Sequence, residues 1–149
     1  ASTLISIRSP FSTLFLDQAL LDLRLYQEAH RQFFFLDKDS AACECISKNM
    51  ASFNLYENDQ SNCFNILNRD FFDKSLSFNN KFDVVFLDPP YQLVKANEVF
   101  MRLKELKVTK VDTLIIYESN SELVGVNGLK ICKSRKIGKT YLNFLSVLN

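Results

Sequence analysis

Short apolar runs alternate with amphipathic stretches along the chain, and no segment repeats. Residues 13–17 read as a strand. Residues 32–37 read as a second, whose unbroken hydrophobicity suits cover on both faces. Asp39 or Ser40 then caps a helix reaching about Phe53, with Ala42, Ile46, Met50 and Phe53 at helical spacing. Residues 63–67 are a third predicted strand and 71–76 a short helix. Asp83-Val84-Val85-Phe86-Leu87-Asp88 is the clearest strand of all, stopped by Pro89 and Pro90, which cannot donate to a ladder. A helix over 98–106 puts Val99, Leu103 and Leu106 on one face, and 113–118 is the fifth strand. After it the rhythm changes, because 129–133 and 141–148 are two strands with only a turn around Gly138 between them. Four alternations of strand and helix followed by a hairpin predict an α/β architecture. The expected sheet is mostly parallel with a C-terminal antiparallel hairpin, in one domain over residues 1–149.

Composition changes this picture at one point. The content of 47% hydrophobic and 23% charged residues excludes disorder and collagen-like structure. There are, however, only three glycines, Gly125, Gly128 and Gly138, where usage of about 7% would give roughly ten. A fold needing an early phosphate-cradling glycine loop is therefore in difficulty. The formal charge of +1 predicts no global affinity for nucleic acid. A local basic stretch, Lys130, Lys133, Arg135, Lys136 and Lys139, contains no acid and suits either an RNA backbone or a lysine-protected sheet edge. The apolar runs are too short for a membrane span, and the opening residues show no basic-then-apolar leader. Cys43, Cys45, Cys63 and Cys132 have no CxxC spacing and only His30 to join them, so no metal site is expected and reduced thiols in the cytoplasm are.

In a parallel α/β sheet, ligands sit at the carboxyl ends of the strands. Three predicted strands end in an acid: Asp17, Asp37 and Asp88. Asp88-Pro89-Pro90-Tyr91 is the most specific signal, because two prolines stiffen a backbone on which the Asp88 carboxylate and the Pro89 carbonyl would both act as acceptors. An exocyclic base amine, with two N–H donors, matches them. Accepting both hydrogens favours a pyramidal, nucleophilic nitrogen and stabilises the positive charge that develops on it. Tyr91 would stack on a base turned out of its helix.

This segment resembles the motif of methyltransferases that use S-adenosylmethionine to modify base amines. Phe34-Phe35-Leu36-Asp37, followed by Lys38-Asp39, resembles the family's second-strand motif, which implies that Asp37 binds the cofactor ribose. Asn68-Arg69-Asp70-Phe71-Phe72 resembles the adenine-recognising segment, with Asp70 in the polar position. Ile116-Tyr117-Glu118-Ser119 and Gly138-Lys139-Thr140-Tyr141-Leu142 resemble late strands of the bacterial 16S rRNA guanine-N2 methyltransferases. The resemblance, from Phe33 onward, implies a Rossmann-like methyltransferase fold, catalytic Asp88, Pro89, Pro90 and Tyr91, and cofactor contacts at Asp37, Asp70 and Asp88. It also implies S-adenosylmethionine as cofactor, rRNA or the small ribosomal subunit as partner, and a role in rRNA processing. The motif around Asp88 is shared with DNA adenine methyltransferases, so adenine in DNA is the alternative substrate. An inactive methyltransferase-like RNA-binding protein is the other reading.

The chain departs from that family early. Where the family's first strand leads into a glycine loop, this chain has Asp17 followed by Gln18-Ala19-Leu20-Leu21-Asp22, and residues 1–14 do not resemble the basic N-terminal portion. That portion is expected to be truncated or altered. Residues 17–33 can be encoded so that the frame begun one base earlier reads Gly-Ser-Gly-Ser-Phe-Gly-Phe-Glu-Ala-Leu-Ser-Arg-Gly-Ala-Gln-Thr-Val. That reading resembles the missing loop and its helix, and implies a frame-shifted motif. Asp17 then falls at a loop glycine and drops out of the site.

Overall fold

The computed structural model describes residues 3–7, 32–52, 63–90 and 95–148. Seven strands form one sheet in the order β3-β2-β1-β4-β5-β7-β6. They are β1 (Thr3–Ile7), β2 (Gln32–Asp37), β3 (Cys63–Asn68), β4 (Val84–Leu87), β5 (Leu114–Ser119), β6 (Leu129–Ile137) and β7 (Thr140–Val147). β1 through β5 are mutually parallel. β7 lies between β5 and β6 and runs antiparallel to both. The predicted α/β class, parallel sheet and terminal hairpin are all present. The hairpin turn is two residues long, and Gly138 at its first position has φ +61°, a conformation that glycine adopts without a Cβ penalty.

One expectation falls outside the described residues and one needs correction. The strand predicted over 13–17 lies outside the described residues, and the central slot between β2 and β4 is filled by Thr3–Ile7. Thr3, Ile5 and Ile7 are β-branched, which suits that extended, doubly paired position. The short helix expected over 71–76 is instead a pair of turns. The Asp70 carboxylate accepts from the Phe72 amide at 2.9 Å and the Asp73 carboxylate from the Ser75 amide at 2.9 Å. Such side-chain bonds hold the backbone in turns that compete with helix.

Two helices are described. α1 (Ser40–Ser52) is capped by Asp39, whose carboxylate accepts from the Ala41 amide at 2.9 Å. It buries Cys43, Ile46 and Met50 and packs on β2 and β3. α2 (Ala96–Leu106) covers the other face, with Val99, Phe100, Leu103 and Leu106 in a core that includes Leu36, Val85, Leu87, Ile115 and Tyr117. The pleat therefore sends Leu36, Leu87 and Tyr117 toward α2 and the acids Asp37 and Glu118 toward the opposite face, while Asp88 follows the last residue of β4. Buried Arg102 of α2 ties down the two turns, donating to the carbonyls of Phe71 at 2.8 Å and Asp73 at 2.7 Å.

Candidate active site

The parallel ladders align Leu36, Ile7, Leu87 and Tyr117 in one row across the sheet. One residue further along, at the carboxyl edge, the same register places Asp37, Asp88 and Glu118 in line. Neighbouring strands are about 4.8 Å apart, so Asp88 and Glu118 are one spacing from each other and Asp37 stands about 10 Å from Asp88 across β1. All three residues are buried, at 4%, 2% and 8% exposure. Burying a carboxylate is costly. Three along one sheet edge make a strongly acidic rim, suited to a cationic ligand and to N–H donors.

Each acid is positioned by its own local structure. Asp37 ends β2, and its carboxylate accepts from the Asp39 amide at 2.9 Å, closing the turn into α1. Its carbonyl accepts from the Asn68 amide group at 3.1 Å and faces the Cys43 sulfur at 3.5 Å. Burial, reinforced by the neighbouring Asp37 carboxylate, pushes the Cys43 thiol above its ordinary pKa. A buried carboxylate at this strand end has the acceptor chemistry that a ribose diol requires. Asp70 stands apart at the exposed end of β3, one strand outward from Asp37, and one of its carboxylate oxygens is committed to its own turn.

Asp88 follows β4 directly, and Pro89 behind it is also buried while Pro90 is half-buried. Asp88 is close enough to act on Tyr117, whose phenol is raised above its ordinary pKa by burial first and by the Asp88 charge second. Tyr91 lies outside the described residues. The structure thus brings Asp37, Asp88, Pro89 and Pro90 to one edge and leaves Asp70 at its periphery.

Glu118 is the residue that sequence reasoning left off the rim, although it closes the fifth predicted strand as an acid in the same way as Asp37 and Asp88. The end of β5 that carries it is fixed by a buried network. Asn143, fully buried on β7, donates to the Tyr117 carbonyl at 3.0 Å and to the Ser119 hydroxyl at 2.9 Å. The Asn143 oxygen accepts from the Ser134 hydroxyl at 2.8 Å, and Ser119 donates to the Ser121 carbonyl at 2.7 Å. Glu118 sits between the two β5 residues so held. Its Oε2 is buried with no hydrogen-bond partner among the described residues.

The basic stretch runs along β6, the sheet edge. Lys130, Lys133, Arg135, Lys136 and Lys139 are all exposed, and the Lys136 ammonium lies 5.6 Å from the centre of the Tyr141 ring. Among the described residues no group of three side chains is arranged to hold a metal ion, and no helix is long and apolar enough to cross a membrane.

The same architecture occurs in solved structures of low sequence identity. A candidate methylase from Haemophilus influenzae, HI0767, superposes with a TM-score of 0.69 at 20% identity, covering 99% of this chain and 88% of its own. A candidate methyltransferase from Escherichia coli, yhhF, gives 0.68 at 16%, covering 98% and 76%. The rRNA methyltransferase aviRa of Streptomyces viridochromogenes gives 0.63 at 19%, covering 97% and 76%. These similarities establish a Rossmann-like methyltransferase fold. No curated protein matches the sequence. The family described as Conserved hypothetical protein 95 matches residues 28–146, which is most of the chain, and the protein belongs to that family.

Proposed function

We propose that the chain is, in origin and chemistry, an S-adenosylmethionine-dependent methyltransferase that modifies the exocyclic amine of a guanine in 16S rRNA. The observation that carries this reading is the buried Asp88-Pro89 pair at the carboxyl end of β4, in register with Asp37 two strands away. The acidic edge fits the cofactor's donor and charge pattern: Asp37 would hold the ribose hydroxyls, Asp70 would approach the adenine, and the carboxylates would face the cationic sulfonium. S-adenosylmethionine supplies a methyl already activated for transfer. The protein's task is alignment and desolvation. Asp88 and the Pro89 carbonyl would accept the two amine hydrogens and localise the nitrogen lone pair, and Asp88 would take the proton the amine loses as its N–C bond forms and the methyl–sulfur bond breaks, the sulfur leaving as a neutral thioether. Tyr91 would stack on the base. The rRNA methyltransferase aviRa shares the fold, and the exposed lysines and arginine of β6 supply a surface for an RNA backbone.

Labelled methyl transfer from S-adenosylmethionine to small ribosomal subunits, compared with duplex DNA, tests the substrate. Incorporation into DNA alone overturns the rRNA assignment in favour of adenine methylation.

A second reading has its own support, since no glycine occurs in the first 124 residues and the family match begins at residue 28, inside the stretch read as frame-shifted. Bulky residues such as Leu20 and Leu21 would then stand where a backbone must approach the cofactor closely. On that reading the chain is a non-catalytic RNA-binding relative. Calorimetric titration with S-adenosylmethionine separates the two, because absence of both heat and thermal shift at saturation favours the inactive form. Sequencing the gene in all frames tests the frame shift directly.

A further inference from the structure

We infer that Glu118 is the base-selecting residue of this site: an acceptor for the N1–H of guanine, standing beside the acceptors for the 2-amino group. The inference rests on the reading of Asp88 as the amine acceptor and adds the reason why guanine rather than adenine is taken.

Three observations carry it. Glu118 is 8% exposed, and its Oε2 has no hydrogen-bond partner among the described residues, so a costly buried acceptor is held ready for a donor. It lies one strand from Asp88 at the same carboxyl end of the sheet, since β4 and β5 pair Leu87 with Tyr117 and each acid comes next in its chain. Its strand end is clamped on both sides by Asn143, through the Tyr117 carbonyl and the Ser119 hydroxyl, so the backbone that carries Glu118 is fixed before a base arrives.

The base chemistry fits this pair of acceptors. On guanine the 2-amino group and N1–H are adjacent donors along one edge, so Asp88 and Glu118 each meet a hydrogen. On adenine the ring nitrogen next to the 6-amino group is N1, an acceptor. Placed against a buried carboxylate it offers no proton and repels. Selection therefore comes from leaving a buried acceptor unmatched by the wrong base, which discriminates more sharply than a shape difference does. The same edge of cytosine pairs its amine with the acceptor N3, so cytosine is rejected on the same ground.

The test uses the full chain and three nucleosides, with binding read by saturation-transfer NMR or calorimetry. Guanosine has both donors; 2-aminopurine riboside keeps the 2-amino group but has an unprotonated N1; inosine keeps N1–H and lacks the amine. The expected result is that the wild type prefers guanosine to 2-aminopurine riboside by at least about tenfold, the scale of a hydrogen bond to a charged group. In Glu118→Gln that preference collapses toward unity, since a carboxamide can either accept or donate, while the guanosine-to-inosine ratio, which reports Asp88, stays as it was. Wild-type discrimination against inosine but not against 2-aminopurine riboside overturns the role of Glu118 and leaves the amine reading standing. An unchanged guanosine-to-2-aminopurine ratio in Glu118→Gln overturns it equally. Failure of the wild type to bind any of the three defeats the base-pocket reading as a whole, and this inference with it. The wild-type comparison needs no variant, so the test does not depend on how well Glu118→Gln folds.

Discussion

Asn143→Ala should loosen the end of β5 and destabilise the whole sheet. The side chain is fully buried and makes three hydrogen bonds, to the Tyr117 carbonyl, to the Ser119 hydroxyl and from the Ser134 hydroxyl. At about 1 kcal/mol net for each, with a further cost for leaving the buried Tyr117 and Ser119 acceptors unmatched, the loss comes to about 3–4 kcal/mol. In a domain of this size that lowers Tm by roughly 10 °C. Thermal and urea melts followed by far-UV circular dichroism measure it, and Ser134→Ala, which removes only the outer bond, provides the comparison at no more than about 1 kcal/mol. Because Ser134 and Asn143 share a bond, the double variant should fall short of the sum by about 1 kcal/mol. An Asn143→Ala protein melting within about 2 °C of wild type, or a strictly additive pair, would refute the claim that this network holds the strand end on which Glu118 stands.

Further outcomes follow from the same geometry. Asp88→Ala should cut methyl transfer at least about a hundredfold while leaving cofactor affinity nearly intact; equal loss of both, seen by assay and calorimetry, would count against its role at the amine. The Arg69 guanidinium, 2.6 Å from Asp73, together with the Ser75 amide and hydroxyl, lowers the Asp73 carboxyl from its ordinary 3.8 to about 2. A depressed folded-state pKa stabilises above the unfolded value and is lost as pH falls through the folded one. Wild type should therefore lose part of its stability between pH 4 and 2, and Asp73→Asn should be less stable at pH 6 but show a shallower fall over that window in acid titrations. Thiol labelling at pH 8 should modify exposed Cys45 and Cys132 promptly and Cys43 slowly, since Cys43 is buried and its thiolate is disfavoured by burial and by Asp37; rapid labelling of Cys43 in peptide mass maps would contradict its burial on the inner face of α1.

Much of the fold was legible because its signals are local. β2 and β4 are covered on both faces, so their sequences are near-continuous apolar runs that admit few other readings. α1 begins where a capping aspartate precedes a helical period, and the hairpin turns where a glycine with positive φ is needed. The segment over 71–76 misled because its apolar spacing suits a helix, while the outcome was settled by carboxylates bonding to nearby amides and by Arg102 reaching across from α2. The place of Thr3–Ile7 at the centre of the sheet was not legible, because a short β-prone segment is distinguished only by its pairing partners, β2 and β4.

The candidate site divides in the same way. Asp37 and Asp88 were visible as acids ending apolar strands, and the prolines after Asp88 marked the turn. Sequence alone thus determined the α/β class, the strand ends and the chemical type of the rim. The tertiary structure decided that Glu118 belongs on that rim and that Asp70 stands outside it. The physical reason is register: a parallel ladder aligns residues far apart in the chain, and a shift by one position would turn each acid to the other face. Long-range hydrogen bonds from β7 then fix the end of β5, and no local pattern around Glu118 announces that its neighbours Tyr117 and Ser119 are held by Asn143, far along the chain.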